Sequence, residues 1–185
     1  PPGGPAVVFI NQNCGLYALQ MSAQTTGQYF VSVKLGPTPV ANSPFLVRVD
    51  PGQLAPAKTT AVGGCLQGGV VGAENVVTIK CKDKFSNNLI ITPLDAPTVT
   101  IWTSVRRRAQ ELLGLTKREK RHLATTATAT CQPGQQGTSF TAIGQWQCKF
   151  TINGSSGRKW NIKVTMADPA AGNADTDIEG SVFSP

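Results

Sequence analysis

Large apolar side chains recur at every second position through most of this chain, in short runs broken by glycine, proline and asparagine, which is the pattern of half-buried β-strands joined by turns. Residues 6–10, Ala-Val-Val-Phe-Ile, form one such run, and Asn11-Gln12-Asn13-Cys14-Gly15 has the turn chemistry to end it. Tyr17, Leu19 and Met21 share one face of the next strand, and Tyr29, Val31 and Val33 one face of the third, with Thr25-Thr26-Gly27 turning between them. Leu35 to Pro39 reads as a turn, and Asn42 to Val49 as a closing strand whose Pro44 suits a strand start or a sheet edge.

Asp50-Pro51-Gly52 breaks any strand and marks a boundary. Beyond it, Gly63 to Val70 is a flexible, close-packed stretch. Val77, Ile79 and Cys81 alternate inward, and Asp83 to Asn88 turns the chain into Leu89-Ile90-Ile91. Strands are then expected at Thr98-Val99-Thr100-Ile101-Trp102 and in the Ala/Thr run 124–130. Others follow at Trp146, Cys148, Phe150 and Ile152, at Trp160, Ile162 and Val164, and at Gly180-Ser181-Val182-Phe183. The three tryptophans read as core and sheet-face residues, and Asp168 to Glu179 as a long exposed loop.

The pattern repeats. Gly15-Leu16-Tyr17-Ala18-Leu19-Gln20-Met21 leads to Gly27-Gln28-Tyr29-Phe30-Val31-Ser32-Val33, much as Gly144-Gln145-Trp146-Gln147-Cys148-Lys149-Phe150 leads to Gly157-Arg158-Lys159-Trp160-Asn161-Ile162-Lys163-Val164. One module used twice places Tyr17 and Trp146 in equivalent surroundings, and repeated modules serve reach and contact rather than chemistry.

One segment departs from the strand pattern. Ser104 can cap a helical turn through Leu112-Leu113, Gly114 can stop it, and Thr116-Lys117-Arg118-Glu119 has the spacing of a capping box. A short broken helix is expected within an insert at about 103–125. The charge sits there too: the chain carries +7 overall, and residues 104–123 hold seven Lys/Arg against Glu111 and Glu119. Arg106, Arg107, Arg108, Lys117, Arg118, Lys120 and Arg121 are therefore the candidate partner-binding residues, suited to an acidic protein surface or an anionic membrane. Nucleic acid is set aside, because no aromatic residue interleaves the cluster to stack on a base. Leu112, Leu113 and Leu115 are expected to pack back on the fold.

Chemistry finds little to work with. The chain has one histidine, His122, inside the basic run, and no C-x-x-C pair, carboxylate pair or Gly-rich phosphate loop. No enzyme activity, metal or cofactor is expected. The five cysteines fit either buried free thiols in a reducing compartment or two disulfides and a leftover thiol. Cys81 and Cys148 lie in phase with core positions; in an oxidising compartment Cys131 and Cys148 can pair across neighbouring strands. Asn153-Gly154-Ser155 is the one glycosylation sequon, on an expected turn. No run is long and apolar enough to span a bilayer.

These residues resemble the filamin-type immunoglobulin-like repeat. The resemblance rests on the two Gly-x-Tyr/Trp motifs at Gly15 and Gly144 and on the closing Asn42-Ser43-Pro44-Phe45-Leu46-Val47-Arg48-Val49. It rests also on Lys82-Asp83-Lys84-Phe85-Ser86-Asn87, with Ser86 where glycine is usual, and on Gly180-Ser181-Val182-Phe183, with Val182 for proline. It implies an all-β, immunoglobulin-like antiparallel β-sandwich: residues 1–50 as the C-terminal half of one repeat, and 51–185 as a complete second repeat carrying the insert. The matching glycines lie 129 residues apart, more than the ~100 residues such a sandwich needs.

The family further implies a spacer and docking module, with neighbouring repeats and other proteins as partners and a groove along a strand edge, here Thr98, Val99, Thr100, Ile101 and Trp102, where a partner peptide adds. The leading expectation is a cytoplasmic, cytoskeleton-associated scaffold. The alternative is an extracellular cell–cell adhesion protein, since similar repeats occur on plant and algal gamete surfaces.

Overall fold

A computed structural model describes residues 5–13, 15–103, 126–134, 144–153 and 160–183. The chain divides into two units, Pro1–Gly52 and Gln53–Pro185. The break falls where Asp50-Pro51-Gly52 interrupts the strand pattern.

In the first unit, β1 (Ala6–Asn11) pairs antiparallel with β2 (Tyr17–Ser22), setting Phe9 opposite Leu19 and Val7 opposite Met21. Next come β3 (Gly27–Val31), a small hairpin of β4 (Lys34–Leu35) and β5 (Thr38–Pro39), and β6 (Phe45–Val49), which returns to pair with β3. Ser43 fixes this return, its hydroxyl oxygen accepting from the Val33 N–H at 2.9 Å.

The second unit opens with Leu54 bridged to Asp83, a 3-10 turn at Pro56–Lys58, and a strand that the sequence pattern did not reveal, β7 (Thr60–Val62). Three residues with a single large apolar side chain carry too little alternation to be read. A second 3-10 turn follows at Gly64–Leu66, then β8 (Glu74–Lys80), β9 (Thr98–Thr103), β10 (Thr126–Thr128), β11 (Thr130–Pro133), β12 (Gln145–Thr151), β13 (Trp160–Asp168) and β14 (Ala174–Asp177). They form two antiparallel four-stranded sheets, in the orders β11-β12-β8-β7 and β10-β9-β13-β14.

Both sheets contribute to one core. Val77, Ile79, Trp146, Cys148 and Phe150 come from the first, and Val99, Ile101, Ile162, Val164 and Met166 from the second. Each such side chain contributes roughly 1.5–3 kcal/mol on leaving water. Among the described residues the fold is thus all-β, with antiparallel sheets, as the period-two pattern implies.

Four details differ from the sequence expectations. The Ala/Thr run at 124–130 is not one strand: its described part splits at Ala129, with β10 beside β9 in one sheet and β11 beside β12 in the other. Asp168 to Glu179 is a tight hairpin rather than a long loop. The Asp168 side chain accepts from the Ala170 N–H at 2.9 Å, Gly172 and Asn173 turn with φ of 67° and 64°, and β14 pairs back on β13. A strand of Ala, Asp and Thr has low intrinsic propensity, and its register with β13 and a 3.0 Å Lys163–Asp177 ion pair hold it. The Gly63 to Val70 stretch is tied down at its Val70 end, because buried Asn75 accepts from the Val70 N–H at 3.0 Å and donates to the Val70 and Ala73 carbonyls at 3.1 and 3.0 Å.

The fourth concerns the repeat itself. Trp146 is 5% exposed, whereas Tyr17 is 62% exposed. The two copies occupy strands of the same kind, but β12 lies between β11 and β8, whereas β2 pairs with β1 alone among the described residues. Sequence likeness carried over the strand and its alternation, not the burial, which depends on the neighbouring strands.

Candidate functional site

The sharpest sequence candidates, Arg106, Arg107, Arg108, Lys117, Arg118, Lys120 and Arg121, lie outside the described residues, as do Leu112, Leu113, Leu115 and His122. What the structure places is the frame around them. Residues 104–125 connect β9 to β10, adjacent antiparallel strands with Trp102 opposite Thr126, so the insert leaves and re-enters the fold at one end of that pair.

That pairing occupies part of the expected docking edge: β9 is flanked on both sides over Thr100 to Trp102, and on one side over Thr98 and Val99 among the described residues. β9 pairs with β13 from Thr98 to Thr103, and its other side is taken by β10 over Thr100, Ile101 and Trp102. Backbone groups already engaged in two ladders have nothing left to offer an added strand. Val99 and Ile101 face the core; Thr98 and Thr100 are exposed.

The thiols divide into two kinds. Cys131 and Cys148 are register partners on β11 and β12, and a disulfide joins them. Cys65 and Cys81 are free and buried, and Cys14 lies outside the described residues. Burial raises the pKa of Cys65, whose Sγ lies 3.1 Å from the Val76 carbonyl oxygen; burial pushes Cys81 up to about 12. A thiol held protonated is a poor nucleophile, so these two act as small core residues. The disulfide closes a loop of 17 residues' separation, and such a closure contributes about 3 kcal/mol. The variant Cys131→Ala/Cys148→Ala is expected to lower unfolding stability by about that amount, read as a fall in the urea midpoint of tryptophan fluorescence.

Asp83 shows how the turn after β8 is built. One carboxylate oxygen accepts from the backbone N–H groups of Phe85 and Asn87, both at 2.9 Å, and the other from Asn87 Nδ2 at 2.9 Å. Ser86 takes the left-handed φ of 68° that glycine adopts most easily. Buried Asp83 is thus a structural residue, saturated by its own turn.

Asn153 is exposed just after Ile152, while the remainder of its sequon, Gly154 and Ser155, lies outside the described residues. Among the described residues no group of three His, Cys, Asp or Glu side chains is placed to hold a metal ion, and no helix is long and apolar enough to cross a membrane.

One feature escaped the sequence reading. Lys80, Lys82 and Lys84 alternate out of phase with the buried Val77, Ile79, Cys81 and Asp83: Lys80 is exposed at the end of β8, Lys82 is half-buried in the bridge to Asn88, and Lys84 is exposed in the turn, just before an apolar loop. The signal was present in the period-two pattern; the larger charge cluster downstream masked it. Comparison with known proteins finds no family model that matches this chain, and no curated protein matches it either.

Proposed function

We propose that this chain is a non-catalytic interaction module, built from one partial and one complete filamin-type immunoglobulin-like repeat, that presents variable segments to protein partners from a rigid β framework. The observation that carries the reading is the strand order of the second unit. The orders β11-β12-β8-β7 and β10-β9-β13-β14, with the chain changing sheets between β10 and β11, correspond to the two sheets of an immunoglobulin-like sandwich. The hairpins β1/β2 and β4/β5 correspond in the same scheme to the β11/β12 and β13/β14 pairs, and β6 on β3 to Phe183 on β13, with Ser43 and Ser181 accepting from the matching Val33 and Val164 N–H groups, supporting a partial repeat before Gly52.

On this reading the basic segment Arg106 to Arg121 meets an acidic partner surface. Deleting residues 103–125 is expected to leave the tryptophan unfolding transition in place and to abolish retention on a polyglutamate-coated surface. Unchanged retention would remove the segment from the binding role, and loss of the folded transition would make it part of the core.

The cross-strand cysteine pair and the exposed Asn153 favour the extracellular adhesion version over the cytoskeletal scaffold, because disulfides persist in oxidising compartments. Alkylation without reductant followed by digestion separates the two versions. A linked Cys131–Cys148 peptide is expected, whereas five alkylated cysteines after unfolding would restore the intracellular reading.

A further inference from the structure

The chain from Lys80 to Leu94 gathers cations and bare apolar side chains at one end of the second unit. Lys80 is exposed at the end of β8, Lys82 is half-buried in the bridge to Asn88 and Lys84 is exposed in the turn, and none of them takes part in the ion pairs of the described residues, which are Arg48–Asp50, Lys149–Glu74 and Lys163–Asp177. The Asp83 turn then reverses the chain, with Lys82 bridged to Asn88 and the Leu89 N–H donating to the Cys81 carbonyl at 3.0 Å. Leu89 is thereby held beside Cys81, just past the end of β8.

Ile90 is exposed, Ile91 is 69% exposed and Leu94 is wholly exposed. Between Ile91 and Leu94, the Thr92 hydroxyl donates to the Gln145 carbonyl at 3.5 Å, so the aliphatic residues flank a point where the loop is tied to β12. Phe85, at the turn, is also exposed and carries Lys84 Nζ 4.9 Å from its ring centre. The carboxylates of this stretch are Asp95, exposed beside Leu94, and Asp83, which is buried in its own turn. Exposed chemistry here is therefore three ammonium groups and one carboxylate around four large apolar side chains.

We infer that this loop and its three lysines form a docking surface for an anionic lipid membrane, with Ile90, Ile91 and Leu94 entering the acyl boundary and Lys80, Lys82 and Lys84 meeting the headgroups. The residue types favour a lipid surface over a protein. Lysine is a strongly hydrated point charge on a flexible stem, suited to a fluid layer of phosphates, whereas the tryptophan, tyrosine and arginine anchors of protein interfaces are missing from this stretch. Aliphatic tips flanked by lysine match the interfacial mode of binding, in which apolar burial and attraction to anionic lipid act together. Charge complementarity selects the anionic membrane, and because anionic lipid is concentrated on the cytoplasmic leaflet this inference goes with the intracellular version of the proposed function, which the alkylation test decides.

Co-sedimentation of the full chain with phosphatidylcholine vesicles, with and without phosphatidylserine, tests this. Binding is expected only with phosphatidylserine. Ile91→Asp/Leu94→Asp should weaken it by about tenfold or more, through loss of apolar burial. Lys80→Gln/Lys84→Gln should do likewise, since each lysine near an anionic surface is worth about a factor of five. Both variants alter exposed side chains, so the tryptophan unfolding midpoint should not move. The segment 103–125 is the same in every variant, so a difference between variants reports the loop alone. Failure to bind, equal binding to both vesicle types, or unchanged binding by both double variants would overturn the inference.

Discussion

Replacing Gly144 with alanine is expected to destabilise the second unit by about 4 kcal/mol or more. Two costs add. Gly144 has a φ of 62°, where an L side chain costs roughly 1–2 kcal/mol. A Cβ built there lands on the Leu89 carbonyl oxygen, 2.6 Å from the carbonyl carbon and 2.9 Å from Leu89 Cβ. These are mainly backbone atoms, so no rotamer change relieves the clash. Moving the strand also sacrifices the 2.9 Å hydrogen bond from the Cys81 N–H to the Gly144 carbonyl.

Gly172, a left-handed glycine of the same unit, supplies the control. Its φ is 67°, and a Cβ added there would meet nothing within 4 Å. Gly172→Ala should cost only the conformational share, about 1 kcal/mol. All three tryptophans, Trp102, Trp146 and Trp160, belong to the second unit, so their fluorescence reports both variants. The urea midpoint should fall sharply for Gly144→Ala and only slightly for Gly172→Ala; equal shifts would show that the close approach of Leu89 is not what the glycine serves.

That contrast also shows how far the amino-acid pattern reaches. Alternation identified the strands of the core, because Val77 and Ile79, Trp146, Cys148 and Phe150, and Ile162 and Val164 are each buried at every second position. Turn chemistry placed the Asp83 reversal and the break at Gly52. What alternation does not encode is who pairs with whom. It could not show that β10 covers Thr100 to Trp102, that Thr60 to Val62 adds an edge strand, or that Tyr17 stays exposed while Trp146 is buried. Those outcomes depend on non-local pairing, and a short strand of threonine and alanine carries almost no local mark of its partner. The interaction candidates divide in the same way: the charge run is conspicuous in sequence, whereas the lysines and aliphatic loop after β8 became a surface only once the inward side of that strand was known.

Alkaline pH should unfold the second unit through Cys81. Its thiol is buried beyond reach of water, and desolvation penalises the thiolate, pushing the pKa from 9.0 up to about 12. The sign follows from which state binds the proton more tightly. Below pH 9.0 the thiol is protonated whether the chain is folded or not, and its contribution is fully present. Above 9.0 the unfolded chain releases the proton while the folded chain retains it, so stability falls by about 1.4 kcal/mol per pH unit until the folded thiol itself ionises near 12. Cys65, raised for the same reason, adds to the slope in the same direction. Cys81→Ala removes the titrating group at the cost of a small cavity, a loss that does not vary with pH. Urea midpoints measured across this window should therefore fall more steeply for the parent chain than for the variant. Parallel slopes would mean that water reaches the thiol, and that the sheets do not close over Cys81 as the buried faces of β8 and β12 require.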